Sequence, residues 1–218
     1  MPVTMTYDSL ASMTASWLDR TDLTTYIPQA IDLAERRIAR EIRPRGFEVY
    51  SSSTMTSGTA GAIISQPARL DTIIAWHVLT NSTGTTTGDV RSTVYRRPYD
   101  FCRDYWPDQT QTGKPLYYAD MNSTDFLVVP SPQANYVFQL AYYERLASLS
   151  TSNATNWLTA NTPGLLLYGT LLEMAPFLKN DPRIATWTGL YDREAAAVMN
   201  LEKTFQSDDA TTEKAAAK

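Results

Sequence analysis

A chain of 218 residues, 43% hydrophobic and 19% charged, is long enough to bury about 70% of its unfolded surface and lies far from the composition of disordered proteins. A net charge of -4 with a pI near 5.0 excludes a globally basic nucleic-acid binder, so any contact with DNA has to be local. A single cysteine, Cys102, excludes an intrachain disulfide framework. With neither a basic-then-apolar leader nor an apolar run of about 18 residues, the expectation is a protein made in the cytoplasm and not inserted in a membrane.

The first element is a short amphipathic helix. Tyr7, Leu10, Met13 or Thr14 and Trp17 share one face, Thr6 or Asp8 supplies the cap, and the helix ends near Asp19-Arg20. A second helix, with Thr25 as cap and Pro28 in its first turn, carries Ile27, Ile31, Ala34, Ile38 and Ile42 as a stripe and stops at Pro44-Arg45-Gly46. From Phe47 the period changes to two. Strands are predicted over 47–56, 62–65 and 70–79, with a turn at 58–61. Residues 81–88 have the composition of a loop tip, 90–96 return as a strand, and 98–106 form a short helix. Three further strands, 116–119, 126–129 and 136–143, then read as an antiparallel meander.

The strongest apolar periodicity lies in 155–201. Leu165, Tyr168, Leu172 and Ala175 recur at helical spacing, and Leu166, Leu167 and Leu171 widen the stripe around most of the helix. More apolar surface stands there than one bundle needs, so part of it is expected to seal against neighbouring subunits. After a cap at Asp181 and a first-turn Pro182, a second helix carries Ile184, Trp187, Tyr191, Ala195, Val198 and Leu201, antiparallel to the first. The fold expected is α+β, a helical bundle built from N- and C-terminal helices with an inserted antiparallel β-sheet domain. Its parts are N-terminal helices over 1–46, the β-domain over 47–147, the helical hairpin over 148–202 and a flexible polar arm over 203–218.

The most distinctive polar feature is the basic face Arg36, Arg37, Arg40, Arg43, with Arg45 just beyond it. Spacings of four and three place Arg36, Arg40 and Arg43 on one side of a helix. Three readings stand: a solvated face pairing with Asp32, Glu35 and Glu41, a docking surface for a partner's carboxylates, or a collar around passing DNA. Tyr95, Tyr99, Phe101, Tyr105, Trp106, Tyr117 and Tyr118, interleaved with Arg96, Arg97 and Arg103, read as a core or interface cluster or as a ligand platform. His77 stands alone on a strand and Cys102 is the single cysteine, so a metal site based on Cys or His is not available. The carboxylates Asp120 with Asp125, and Asp208-Asp209, fall in a turn and a tail. No nucleophile elbow, P-loop or dinucleotide fingerprint occurs, so no catalytic, cofactor or metal residue is assigned and an enzyme is not expected.

Several short motifs occur in a fixed order: Gly113-Lys114-Pro115, Tyr117-Tyr118, Leu127-Val128-Val129-Pro130-Ser131-Pro132, Tyr142-Tyr143-Glu144-Arg145-Leu146, Asn156-Trp157-Leu158 and Leu171-Leu172-Glu173-Met174-Ala175-Pro176-Phe177-Leu178. Toward the N-terminus Tyr7-Asp8-Ser9-Leu10, Arg20-Thr21-Asp22-Leu23 and Leu33-Ala34-Glu35-Arg36-Arg37-Ile38 continue the series. In this order the chain resembles the head-to-tail adaptor proteins of tailed bacteriophages. That resemblance implies a structural virion protein of the neck, assembled in the host cytoplasm. It implies a ring of twelve copies between portal and tail or nozzle protein, through which genomic DNA passes without sequence-specific binding. Trp157, Tyr168, Phe177 and Trp187 are the expected subunit-interface positions, and Lys203, Phe205, Asp208, Asp209, Lys214 and Lys218 belong to the arm expected to grip the portal. The competing expectation is a carbohydrate- or receptor-binding module of a tail appendage that uses the aromatic sheet.

Overall fold

A computed structural model of the chain describes residues 4–42, 44–80, 90–179 and 181–216, without the side chains at 45, 202 and 204–216. The chain divides into two compact units, Met1–Phe47 with Leu146–Lys218, and Glu48–Arg145. The architecture is α+β, with helices toward both termini and largely antiparallel sheets between; the short pairings of Tyr95–Arg96 with Tyr117–Asp120 and of Thr112–Gly113 with Ser131–Pro132 are parallel.

In the helical unit, a reciprocal cap starts α1 (Tyr7–Leu18): the Thr6 backbone N–H donates to Ser9 Oγ (2.8 Å) and the Ser9 N–H to Thr6 Oγ1 (3.2 Å). Asp19, at φ 53°, ends it in the left-handed conformation. The next helix, α2 (Ile27–Glu41), starts at Tyr26 without a side-chain cap, so Thr25 does not have the role its sequence position suggests; Pro28 does lie in the first turn. The Ile27, Ile31, Ala34, Ile38 and Ile42 stripe is buried throughout.

In the β unit, β1 (Glu48–Met55), β2 (Ile63–Ser65), β3 (Leu70–Thr80), β4 (Val90–Thr93) and β5 (Tyr95–Arg96) precede α3 (Tyr99–Tyr105). Then come β6 (Thr112–Gly113), β7 (Tyr117–Asp120), β8 (Asp125–Val129), β9 (Ser131–Pro132) and β10 (Tyr136–Glu144). One four-stranded sheet has the order β1-β10-β3-β4 and is antiparallel throughout; the second has the order β2-β8-β7-β5. The predicted meander is therefore corrected. β7 and β8 do pair as neighbours, but β10 leaves them and inserts between β1 and β3.

Alternation explains the layering. Tyr118 of β7 with Phe126 and Val128 of β8 face one way, against Trp76, Val78, Phe138 and Leu140 of the first sheet. Ala119, Leu127 and Val129 face the other way and are covered by α3 through Cys102, with Trp106 and Tyr117 against them. A strand buried on both faces needs no polar positions, which is why residues 126–129 are continuously apolar.

The chain re-enters the helical unit and forms α4 (Trp157–Asn161), α5 (Pro163–Glu173) and α6 (Arg183–Ala216). Asn156 starts α4 by accepting from the N–H groups of Leu158 (3.1 Å) and Thr159 (3.2 Å). α5 packs against α1, α2 and α6. These neighbours account for its wide apolar girth, and Leu165, Leu166, Leu167 and Leu171 are all buried inside the chain. The expectation that this surplus seals against other subunits is thereby corrected for these leucines. At Gly169 the helices pack at ordinary contact distance: a Cβ there would lie 3.4 Å from the Tyr191 ring and 3.5 Å from Ala34 Cβ. α6 has 34 residues, about 51 Å of helix, and continues to Ala216 instead of stopping near Leu201.

Candidate interaction surfaces

The basic face of α2 is less free than its sequence suggests. Arg36 is paired with Asp32 (2.9 Å) one turn earlier, and Arg37 reaches Glu173 on α5 (2.8 Å). Arg40 donates to the Arg36 carbonyl (3.2 Å) and is exposed. Arg43 and the Arg45 side chain lie outside the described residues. The other two expected counter-charges have partners of their own. Glu41 accepts from the Tyr191 hydroxyl (2.5 Å), and burial together with that bond raises the phenol above its ordinary pKa. Glu35 is only 5% exposed and turns inward. Its carboxylate accepts from the buried Leu149 N–H (3.0 Å) and from Asn156 Nδ2 (2.5 Å), tying the segment before α4 to α2. Its position was legible: residue 35 is four after Ile31 and three before Ile38, on the buried stripe.

The four expected interface aromatics divide. Trp187 is 4% exposed, with Arg183 over its ring at 5.3 Å, so it belongs to the core of its own chain and is withdrawn as an interface position. Trp157 is half-buried, edge-on to Phe47 at 5.5 Å, and fills the space a side chain at Gly46 would need. Tyr168 is half-buried beside the exposed Trp17, 5.9 Å between ring centroids. Phe177 is 43% exposed and lies 4.9 Å from Tyr26, itself exposed. Among the described side chains, the exposed aromatic surface of this unit therefore comprises Trp17, Tyr26 and Phe177, two of them absent from the sequence-based set. The signal available was that Trp17 and Tyr26 sit at helix boundaries, where a stripe does not dictate burial.

Of the arm, Lys203 is exposed and within α6; Phe205, Asp208, Asp209 and Lys214 fall on helical backbone with side chains outside the described residues, and Lys218 lies outside them entirely. Among the described side chains of α6, Ala195 is the last in the buried core, while Met199 and Leu201 are exposed.

In the β unit most of the aromatic set satisfies itself. Phe101 and Tyr105 meet the Tyr117 ring edge-on at 5.4 and 5.0 Å, and the Arg97 guanidinium lies over Phe101 and Tyr117. Tyr118 is buried against Trp76 at 4.7 Å, and Trp106 Nε1 donates to the Gln111 carbonyl (2.9 Å). Tyr95, Tyr99, Phe101 and Tyr105 nevertheless remain exposed, Tyr95 the most at 58%. Asp120 pairs with Arg96, and Asp125 accepts from Asn122 and Thr124, bonds that hold its carboxyl below the usual range. His77 stands within hydrogen-bond distance of Thr93. Among the described residues no cluster of three or more His, Cys, Asp or Glu side chains has metal-binding geometry, and no helix is long and apolar enough to cross a membrane.

Against known proteins, no curated protein matches the chain. A family model described as SU10 adaptor protein matches residues 5–215, so the chain belongs to the SU10 adaptor protein family, the phage head-to-tail adaptor identity to which the ordered motifs pointed.

Proposed function

We propose that this protein is a neck subunit of a tailed phage virion, assembled in the host cytoplasm as a closed ring between portal and tail or nozzle protein. The observation that carries this reading is the family match over 5–215. Its mechanism is geometric: subunits bury surface against neighbours, offer one end to the portal and leave a channel for DNA without reading its sequence. Twelve copies is the number we propose. Imaging of particles labelled through this protein tests the placement. Signal at the vertex between head and tail is expected, and signal at fibre tips would replace it with the receptor-binding alternative.

For the subunit contact we propose the exposed aromatic surface around Phe177 and Tyr26, with Tyr168 and Trp157 at its half-buried margin. Phe177→Ala is expected to weaken ring formation by about 2 kcal/mol, read as a shift in the concentration at which rings appear by light scattering. An unchanged assembly curve would move the contact elsewhere.

The end of α6 is proposed as the portal-gripping arm, with Lys203, Phe205, Asp208, Asp209, Lys214 and Lys218 as its contact residues. Deleting 207–218 is expected to abolish co-sedimentation with portal while leaving the circular dichroism of the remaining helices intact; normal attachment discards the arm. The same sedimentation assay on Arg36→Glu/Arg40→Glu tests the basic face, including its proposed extension to Arg37, Arg43 and Arg45, and undiminished binding would leave it a solvated surface.

A further inference from the structure

The two sheets of the β unit leave a cleft of about 370 Å³ along one side, where the edge strands β1 and β2 run without a partner on their outer flanks. Met55, Trp76, Phe126 and Phe138 form its apolar part, and Ser51 and Ser53 of β1 contribute hydroxyls. Trp76 is 1% exposed, and its Nε1 has no hydrogen-bond partner among the described residues. An indole donor left unmet in an apolar interior is costly unless something accepts from it.

β1 is also an unusual edge. Over its eight residues, EVYSSSTM, only Glu48 is charged and no proline occurs, so the devices that commonly block strand addition are missing. The opposite edge of the same sheet is β4, and it carries the complementary features. Val90 is 59% exposed although it lies on the interior-facing side of β4, two residues from Ser92, which pairs with the buried Val78. On the outer side, Arg91 meets no carboxylate among the described residues and is exposed.

We infer that β1 of one copy pairs with β4 of the next, continuing the β1-β10-β3-β4 sheet from subunit to subunit. Strand direction permits it. Each neighbour in this sheet is antiparallel to the one before, so β4 runs opposite to β1 and the added pair is antiparallel as well. Side-chain parity permits it too. With Val90 opposite Ser51, Ser92 falls opposite Val49 on the interior face, and Arg91 falls beside the exposed Tyr50, within reach of Glu48 on the outer face. Val90 then covers the mouth of the cleft, and the incoming strand adds backbone carbonyl groups and the Ser92 hydroxyl to the hydroxyls of Ser51 and Ser53 at its edge. Because the two edges differ, the contact is head-to-tail, and every β1 and β4 edge is satisfied only when it closes as a ring. This inference rests on the ring reading above and names the surface that makes it.

Paired cysteines test it. Full-length protein carrying Val90→Cys together with Val49→Cys, Ser51→Cys or Ser53→Cys is assembled on portal, imaged, oxidised and run on denaturing gels. The expected result is a covalent ladder extending to the full ring, strongest for the Ser51/Val90 pair, with neither single variant forming one. Rings that assemble normally but give no ladder at any of the three pairs overturn the β1–β4 contact and leave the ring reading standing. Dimers from Ser51→Cys alone overturn it in favour of a β1–β1 contact. If no rings are seen by imaging, wild type included, the ring reading fails and this contact fails with it.

Discussion

Gly61→Ala is expected to unfold the β unit or destabilise it by about 3 kcal/mol or more. Gly61 lies in the 3-10 turn Thr59–Ala62 between β1 and β2, and a Cβ at this position would stand 1.6 Å from the Thr56 carbonyl oxygen. That oxygen is backbone and cannot rotate aside. Nor can the turn slide outward cheaply, because the Gly58 N–H donates to the Pro132 carbonyl (2.7 Å), the Gly61 N–H donates to the Gly58 carbonyl (3.1 Å), and Pro132 Cγ would lie 3.3 Å from the new Cβ. The turn is held to β9 on one side and to the end of β1 on the other. Gly189→Ala, on an exposed face of α6 with nothing within 4 Å, serves as the control and should be neutral or stabilising by up to about 1 kcal/mol. Thermal unfolding of both variants decides the matter; a Gly61→Ala midpoint equal to wild type would show that the turn relaxes in a way its hydrogen bonds argue against.

Glu35→Ala is the second large effect, about 3 kcal/mol, since it strands the buried Leu149 N–H and leaves the Asn156 amide only its longer bond to the Ala147 carbonyl (3.4 Å). Asn156 is itself the cap of α4, so its misplacement propagates to that helix. Glu35→Gln should cost less, because a carboxamide oxygen still accepts from Leu149 while its NH2 faces the Asn156 donor. Burial raises the Glu35 carboxyl above the ordinary carboxylate range, against the lowering effect of the two hydrogen bonds. The folded protein therefore holds this proton to higher pH than the unfolded chain does. Its contribution is complete below the ordinary value of about 4.3 and declines as pH rises through the raised pKa. Wild type should thus exceed Glu35→Gln by more at pH 4 than at pH 7 in urea unfolding. A gap that widens with rising pH would mean that the ionised form is the one the fold favours.

Much of this protein is written locally in its chain. The α2 stripe, the Thr6 cap and the two-residue period of the central strands each depend on contacts within a few residues, and the structure has helices and strands where those signals fall. The start of α6 is of the same kind: Asp181 accepts from the Arg183 N–H (2.9 Å), only two residues on, as its place before Pro182 indicates. Glu35 shows the limit. By sequence it reads as a counter-charge of a solvated basic face, although its spacing from Ile31 and Ile38 fits the buried stripe, and the partners that make its burial tolerable come from residues 149 and 156, more than a hundred positions away.

Local periodicity and ordered motifs were thus enough for the α+β class, for the order of helices and strands along the chain, and for the family likeness. Which strands are neighbours, and which apolar residues are free, followed from packing alone. β10 lies between β1 and β3 because its faces fit there, and adjacency in the chain carries no information about that choice. Trp187 and Phe177 look equivalent as aromatic residues at the ends of apolar stretches, yet one is sealed in the core and the other is exposed. The physical reason is the same in both cases: burial depends on how many elements surround a side chain, and that number is set by contacts between segments far apart in sequence.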